Sequence, residues 1–220
     1  MHFIVTAGPT REYLDPVRFL SNPSTGRMGF AVARAARAAG HDVTLVAGPV
    51  ALRTPRGVRR VDVVSARDML AAVRGAIRAE KGRAALVMTA AVADWRPAVR
   101  SARKLKKAQM DGVLKLVPNP DILKTLERTL ARRDKDRLVR VGFAAETGDP
   151  TAEAARKCRE KGLDFVVAND VSRADSGFGT DTNRVDFVFP DGRAERLPLM
   201  SKDAVARRIV RRIAEQTTNH

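Results

Sequence analysis

Arg18, Asn22, Ser24, Thr25, Gly26 and Gly29 all fall within the stretch VRFLSNPSTGRMG at residues 17–29. A guanidinium neutralises an anion, amide and hydroxyl groups direct hydrogen bonds, and glycines let a ligand approach backbone N–H groups. Such a set suits a phosphate held at the mouth of the alanine-rich helix that follows. Ser-Thr-Gly before a helix is equally an ordinary cap, with Ser24 or Thr25 as the capping residue, so both readings stand. The stretch TAAVADWRP at 89–97 adds the small Ala90 and Ala91, which leave room for a ligand, and Asp94. That carboxylate is either the rim of a pocket or a turn residue capping an amide.

The segment 97–117 lacks helical periodicity and carries Lys104, Lys106, Lys107 and Lys115. It reads as an extended arm, either a flap whose ammonium groups close over phosphates or a solvated loop. PNPD at 118–121 is a turn into a helix, with Asn119 the candidate cap. GFAAETGD at 142–149 supplies Phe143, a stacking surface for a base or a core residue, and Glu146 and Asp149, candidate magnesium or ribose partners. Glu153, Lys157 and Lys161 then recur every four residues on one helical face, as a surface ladder or as nucleotide contacts.

Several other chemistries lack their residues. The three histidines, at positions 2, 41 and 220, lie outside every polar cluster, which argues against a histidine base or a histidine-rich metal site. Cys158 is the one cysteine, so a disulfide within the chain or a cysteine zinc cluster is excluded, and a reducing compartment is expected. There is no G-x-G-x-x-G fingerprint and no Walker lysine, and the only tyrosine, Tyr13, is followed by LDPV rather than a spaced lysine. Chemistry here must run on positioning and charge.

The elements that would position these groups follow from hydrophobic periodicity. Short β-branched runs occur at 2–8, 42–48, 58–64, 84–91, 138–146 and 163–170, with helical patterns at about 24–39, 66–80, 119–133 and 150–161. Such alternation predicts an α/β protein with a mostly parallel sheet covered on both faces. Asp191-Gly192 between two extended pieces predicts an antiparallel edge hairpin, and a basic amphipathic helix over about 201–216 closes the chain. A single domain spanning 1–220 is expected, with the flap at about 97–117. No apolar run approaches the ~18–20 residues of a membrane span, and the strand pattern starts at once without a leader, so a cytoplasmic protein is expected. The net charge of +16 invites a nucleic-acid partner, but the arginines are spread over nearly every predicted helix rather than gathered in one tract. A basic nucleic-acid-binding module without turnover is the alternative to an enzyme acting on small polyanions.

Taken in order, SNPSTGRMG, AAVADWRP, KLKK, VPNPD, GFAAET, the paired Lys157 and Lys161, and ANDV resemble the bacterial type of phosphopantothenoylcysteine synthetase of coenzyme A biosynthesis, over about residues 3–190. The resemblance implies a three-layer, Rossmann-like fold with a lysine-rich flap, and a ligase that works in two steps. The carboxylate of 4′-phosphopantothenate is activated by CTP with Mg²⁺ to an acyl-cytidylate and pyrophosphate, and the amine of L-cysteine then displaces CMP. A homodimer is implied, with neither a membrane nor a nucleic-acid partner. Family members are often fused behind a flavin-dependent decarboxylase; this chain begins at the synthetase's first strand, so that step is expected of another polypeptide.

Carried over by position, the resemblance implies that Asn22 and Lys104 are catalytic, Asn22 at the acyl group in the second half-reaction and Lys104 on the flap over the reactive phosphate. Ala90, Ala91 and Asp94 would line the pantothenate and nucleotide pocket, with Arg18 beside the substrate. Asn119, Pro120, Asp121, Ile122 and Phe143 would embrace the nucleotide, while Lys157 and Lys161 would select cytosine. Gly8, Ser24, Gly26, Gly29 and Asn169 match the phosphate-binding mouth. Thr25 and Arg27 stand where many relatives carry serine and lysine, which keeps the hydroxyl and the charge.

Overall fold

The computed structural model describes residues 1–106, 112–146, 151–170 and 182–218. The chain starts with β1 (His2–Ala7), a ribbon of β2 (Arg11–Tyr13) and β3 (Phe19–Ser21), then α1 (Arg27–Ala38), β4 (Asp42–Ala47) and β5 (Arg59–Asp62). It continues through α2 (Ala66–Ala79), β6 (Ala84–Met88), a second ribbon of β7 (Trp95–Pro97) and β8 (Leu116–Pro118), α3 (Ile122–Thr129) and α4 (Arg132–Asp136). The last part comprises β9 (Leu138–Glu146), α5 (Thr151–Lys161), β10 (Phe165–Asp170), β11 (Thr182–Asn183), β12 (Val185–Val188), β13 (Ala194–Arg196), β14 (Met200–Ser201) and α6 (Lys202–Thr218).

Eight strands form one sheet in the order β13-β12-β10-β9-β6-β1-β4-β5. The six from β5 to β10 are parallel, and β12 and β13 run antiparallel at one edge, joined through the Asp191-Gly192 turn. Among the parallel strands the order reverses between β1 and β6, which are neighbours although α1, β4, β5 and α2 separate them in sequence. At such a switch point the loops leave in opposite directions and open a crevice beyond the carboxyl ends of the strands.

Side chains alternate across the sheet with the period of two that a strand imposes. Phe3, Val5, Ala85, Val87, Val141, Phe165 and Val167 point to one face, where they meet Phe30, Val32 and Ala36 of α1 and Val205, Ile209 and Ile213 of α6. Ile4, Leu86 and Leu138 point to the other face, against Met69, Val73 and Ile77 of α2 and Ile122 and Leu126 of α3. Ala154, Ala155 and Cys158 of α5 complete that second layer against Val166 and Ala168. The result is the three-layer, Rossmann-like arrangement read from the sequence. Among the described residues no helix is long and apolar enough to cross a membrane.

Two details differ from the sequence reading. The single helix expected at 119–133 is two, because Leu130 and Ala131 adopt extended backbone; this turns the Leu130 side chain into the core and restarts the chain as α4. Its cap is Asp121, whose carboxylate accepts the Lys124 amide at 3.0 Å, and Asn119 is engaged elsewhere. The helix expected from residue 24 starts at Arg27 instead. Gly26 occupies the cap in the left-handed conformation (φ 78°), and no side chain caps the helix.

Candidate active site

A cavity of about 450 Å³ opens at the switch point. Its floor is the loop that follows β6, stitched to the loop that follows β1. The buried Thr6 accepts the Ala90 amide at Oγ1 (3.1 Å), and its carbonyl accepts the Thr89 hydroxyl (2.6 Å). The Ala91 amide donates to the Gly8 carbonyl, the Thr10 amide to the Ala91 carbonyl, and the Ala93 amide to the Thr10 hydroxyl (2.9 Å). Two buried threonines thus satisfy backbone groups that an alanine-rich loop would leave orphaned, and they fix its shape before any ligand arrives.

The first wall is the start of α1, where Ser24 and the run from Gly26 to Gly29 line the cavity. No side chain caps the helix, although the Ser24 hydroxyl accepts the Gly26 amide at 3.4 Å, and the leading turn with its positive dipole end lines the opening. Close approach makes glycine necessary here. A Cβ on Gly29 would stand 2.5 Å from the Ala7 methyl and 2.5 Å from the Thr89 hydroxyl, and one on Gly26 would press on the backbone of Gly8 at 3.2 Å. Gly8 therefore lies behind the mouth and outside the lining. Asn22 bridges this wall to the floor, its Nδ2 donating to the carbonyls of Ala91 (3.3 Å) and Val92 (3.1 Å).

The opposite wall is the turn from β8 into α3. Asn119 donates from Nδ2 to the Ala93 carbonyl (2.8 Å), its amide donates to the Asp94 carbonyl (2.7 Å), and Arg96 holds it from outside by donating to its Oδ1 (3.3 Å). Pro120, Asp121 and Ile122 complete this wall. Lys161, at the end of α5, reaches across to pair with Asp121 at 2.9 Å. Burial pushes the Asp121 carboxyl upward, but the Lys124 amide and the Lys161 ammonium outweigh it and hold the group below the usual carboxylate range. Phe143 and Asn169, from the carboxyl ends of β9 and β10, form the deep end, and Asp94 stands exposed at the rim.

Besides Gly8, three expected residues stand outside this lining. Lys157, one turn before Lys161, pairs with Glu153 at 3.7 Å, as the surface-ladder reading has it. Lys104 is exposed on the arm, and its side chain has no hydrogen bond or ion pair among the described residues. Arg18 forms an ion pair with the buried Asp15 at 2.7 Å and points to the base of the arm. Lys107 and Asp149 lie outside the described residues, as does the side chain of Glu146.

The structure also adds lining residues that no motif marked. Thr89, Asn183 and Lys202 face the cavity, the last two nine-tenths buried or more. Lys202 opens α6, and a lysine at the start of a basic helix carries no local signal; only the fold brings it round to the site. Cys158 is buried away from the cavity, its thiol donating to the Val188 carbonyl at 3.3 Å. Burial pushes that thiol up to about 11.

The parallel sheet, its reversal between β1 and β6 and the cavity at that point define a doubly wound α/β protein with a lysine-bearing pocket at its switch point. The chain belongs to the family described as DNA/pantothenate metabolism flavoprotein C-terminal domain, which it matches over residues 1–217. It is 44% identical over 215 residues to the coenzyme A biosynthesis bifunctional protein CoaBC of Vibrio cholerae, covering 97% of this chain and 52% of that protein. The CoaBC of Bacillus subtilis is 44% identical over 214 residues, covering 97% of this chain and 51% of that protein. The chain thus spans about half the length of these relatives. A crystal structure of the C-terminal domain of CoaBC superposes with a TM-score of 0.81 at 39% identity, covering all of this chain and 96% of that one.

Proposed function

We propose that this chain is a phosphopantothenate–cysteine ligase of coenzyme A biosynthesis, using CTP with Mg²⁺. The observation that carries the reading is the convergence of Asn22, the 90–94 floor, the 119–122 turn, Phe143 and Lys161 on one cavity at the switch point, in a chain 44% identical to two CoaBC proteins. The cavity has the size of a small-molecule site and its floor is already formed.

In the first step a carboxylate oxygen of the acyl substrate attacks the α-phosphorus of the nucleotide, and the bond to the β-phosphate breaks to release pyrophosphate. Charge develops on the phosphate oxygens, and this chain answers it with the uncapped start of α1 and the ammonium of Lys104 on the arm. In the second step the cysteine nitrogen attacks the acyl carbon, CMP departs and the nitrogen loses its proton to solvent. Asn22, fixed to the floor by two hydrogen bonds, holds the acyl group in line. Phe143 offers a face to the base, and Lys161 reads its edge, with Lys157 one turn behind it on the same helix.

The donor set fits a magnesium ion brought in on phosphates. Mg²⁺ needs one or two carboxylates beside the phosphate oxygens, and Asp94 at the rim is a carboxylate that no cation pairs with among the described residues. Bound there, the ion would screen the triphosphate charge. A homodimer is part of the same proposal. Val17, Phe19, Trp95 and Leu116 leave apolar side chains exposed on the β2–β3 and β7–β8 ribbons, a surface suited to a second copy.

The test is pyrophosphate release by the purified chain with 4′-phosphopantothenate and Mg²⁺, CTP against ATP, with and without L-cysteine, products read by mass. CTP-dependent release, with an amide formed only when cysteine is present, is the expected result. Release with ATP alone would keep the ligase and overturn the role given to Lys157 and Lys161. Inertness with both nucleotides would overturn the ligase reading.

A further inference from the structure

We propose that Asp15 and Arg18 are positioning residues, a clasp that fixes the backbone at Leu105 and so sets the base from which Lys104 reaches toward the cavity. The proposal rests on the ligase reading for the task it gives Lys104, and on hydrogen bonds alone for the clasp itself.

Asp15 is fully buried. A buried carboxylate persists only when donors surround it. Its Oδ1 accepts the amides of Val17 and Arg18 at 2.8 Å each, which shape the turn between β2 and β3. Its Oδ2 accepts Nε and Nη2 of Arg18 (3.0 and 2.7 Å) and the amide of Leu105 (3.2 Å), ninety residues away in the chain. Arg18 Nη2 in turn donates to the Leu105 carbonyl at 2.6 Å. Both polar groups of the Leu105 backbone are therefore held from the same carboxylate–guanidinium pair.

A second anchor lies four residues earlier, where the Ser101 amide donates to the Leu14 carbonyl (2.8 Å) and the Ser101 hydroxyl bonds the Arg103 carbonyl. Lys104 lies between the two anchors. Its long side chain is exposed and unengaged among the described residues, but the backbone that carries it is pinned on both sides. A cation meant to meet charge that develops only during reaction works best from a fixed base, because reorganising that base during the reaction is costly. All the hydrogen bonds of the buried Asp15 carboxylate go to its own turn, to Arg18 and to Leu105. What it holds is the arm.

Three measurements test this. Hydrogen exchange at the Leu105 amide should speed up by about tenfold or more in Asp15→Asn, while amides of β1 and β6 keep their protection. Turnover in pyrophosphate release should fall by up to about 100-fold in that variant, with KM for the nucleotide nearly unchanged. In a Lys104→Ala background the same Asp15→Asn change should cost little further, because a residue acting through another loses its effect when that other is gone. Arg18→Lys keeps the charge and loses the fork; it supplies the same readouts if Asp15→Asn folds poorly. Equal fold-losses with and without Lys104, or unaltered turnover with a freed Leu105 amide, would overturn the proposal and leave the ligase standing. Absence of ligase turnover in the wild type would remove the ligase reading and the task given to Lys104 with it, whatever exchange at Leu105 shows.

Discussion

The Lys161 ammonium stands 2.9 Å from the Asp121 carboxylate, joining the last turn of α5 to the first of α3 across the open end of the cavity. The pair satisfies two elements at once: a cation near a helix C-terminus and an anion at a helix N-terminus, each on the favoured side of its dipole. Lys161→Met should therefore cost stability of no more than about 1 kcal/mol, because both groups are partly exposed. Its effect on function should be larger, with the preference for CTP over ATP reduced by about tenfold or more when a charged hydrogen bond to the base is lost. Competition between the two nucleotides in the pyrophosphate assay reads this ratio directly. An unchanged ratio would assign Lys161 to the fold alone.

Gly29→Ala should destabilise the protein by about 1–3 kcal/mol, since the added methyl meets the Ala7 side chain and the Thr6 carbonyl, neither of which has room to retreat. A denaturant midpoint that moves down with an unchanged slope is the expected signature. Gly40, with nothing within 4 Å of its would-be Cβ, gives a contrast at a position where only the backbone angle resists substitution.

Lys104→Ala should lower the rate of pyrophosphate release by about 10²–10³-fold, the usual loss when one donor to developing charge is removed. Thermal stability should be unaltered, because the side chain is exposed and makes no hydrogen bond or ion pair among the described residues. Full activity in a folded variant would remove the arm from the reaction.

The Asp15 clasp sets a pH dependence. Burial pushes the carboxyl upward, but the amides of Val17, Arg18 and Leu105 and the Arg18 guanidinium more than reverse this and hold it well below the usual range. A depressed folded-state value stabilises the folded form above the unfolded value of about 3.9, and that contribution is lost as pH falls further toward the folded value. Wild type should therefore lose more stability than Asp15→Asn between about pH 4 and pH 2, with the two curves parallel above pH 5. Denaturation followed at each pH would show parallel curves throughout if the carboxylate contributes nothing.

The sheet was legible because its signals are local. β-branched runs, the intervening helical periodicity and the Asp191-Gly192 turn each report on their own neighbourhood, and the parallel strands fall where those runs lie. The cavity lining was legible where it is built from loops at strand ends, as with Asn22, Ala90 and Ala91. Residues whose part depends on distant partners were not. Asn119 resembles a helix cap in sequence, but the carbonyl it serves belongs to Ala93, in the floor loop 26 residues earlier in the chain. Asp15 resembles a turn residue, and nothing near it announces Leu105. Lys202 needs the whole sheet to be in place before it reaches the cavity. Lys157 and Lys161 are indistinguishable by spacing, and they part only because Asp121 stands opposite the second.

On the proposed ligase reading, in which a substrate is itself a thiol, buried Cys158 acquires a meaning. Exchange with an oxidised partner requires an accessible thiolate, and this sulfur has neither the access nor, with its thiol pushed up to about 11, the charge. Thiol-specific labelling of the native protein should be slow until it is unfolded. On the ligase reading proposed above, a chain that takes cysteine as its substrate would thereby be immune to capture by the disulfide cystine: the redox chemistry of what it consumes would not shorten its catalytic life.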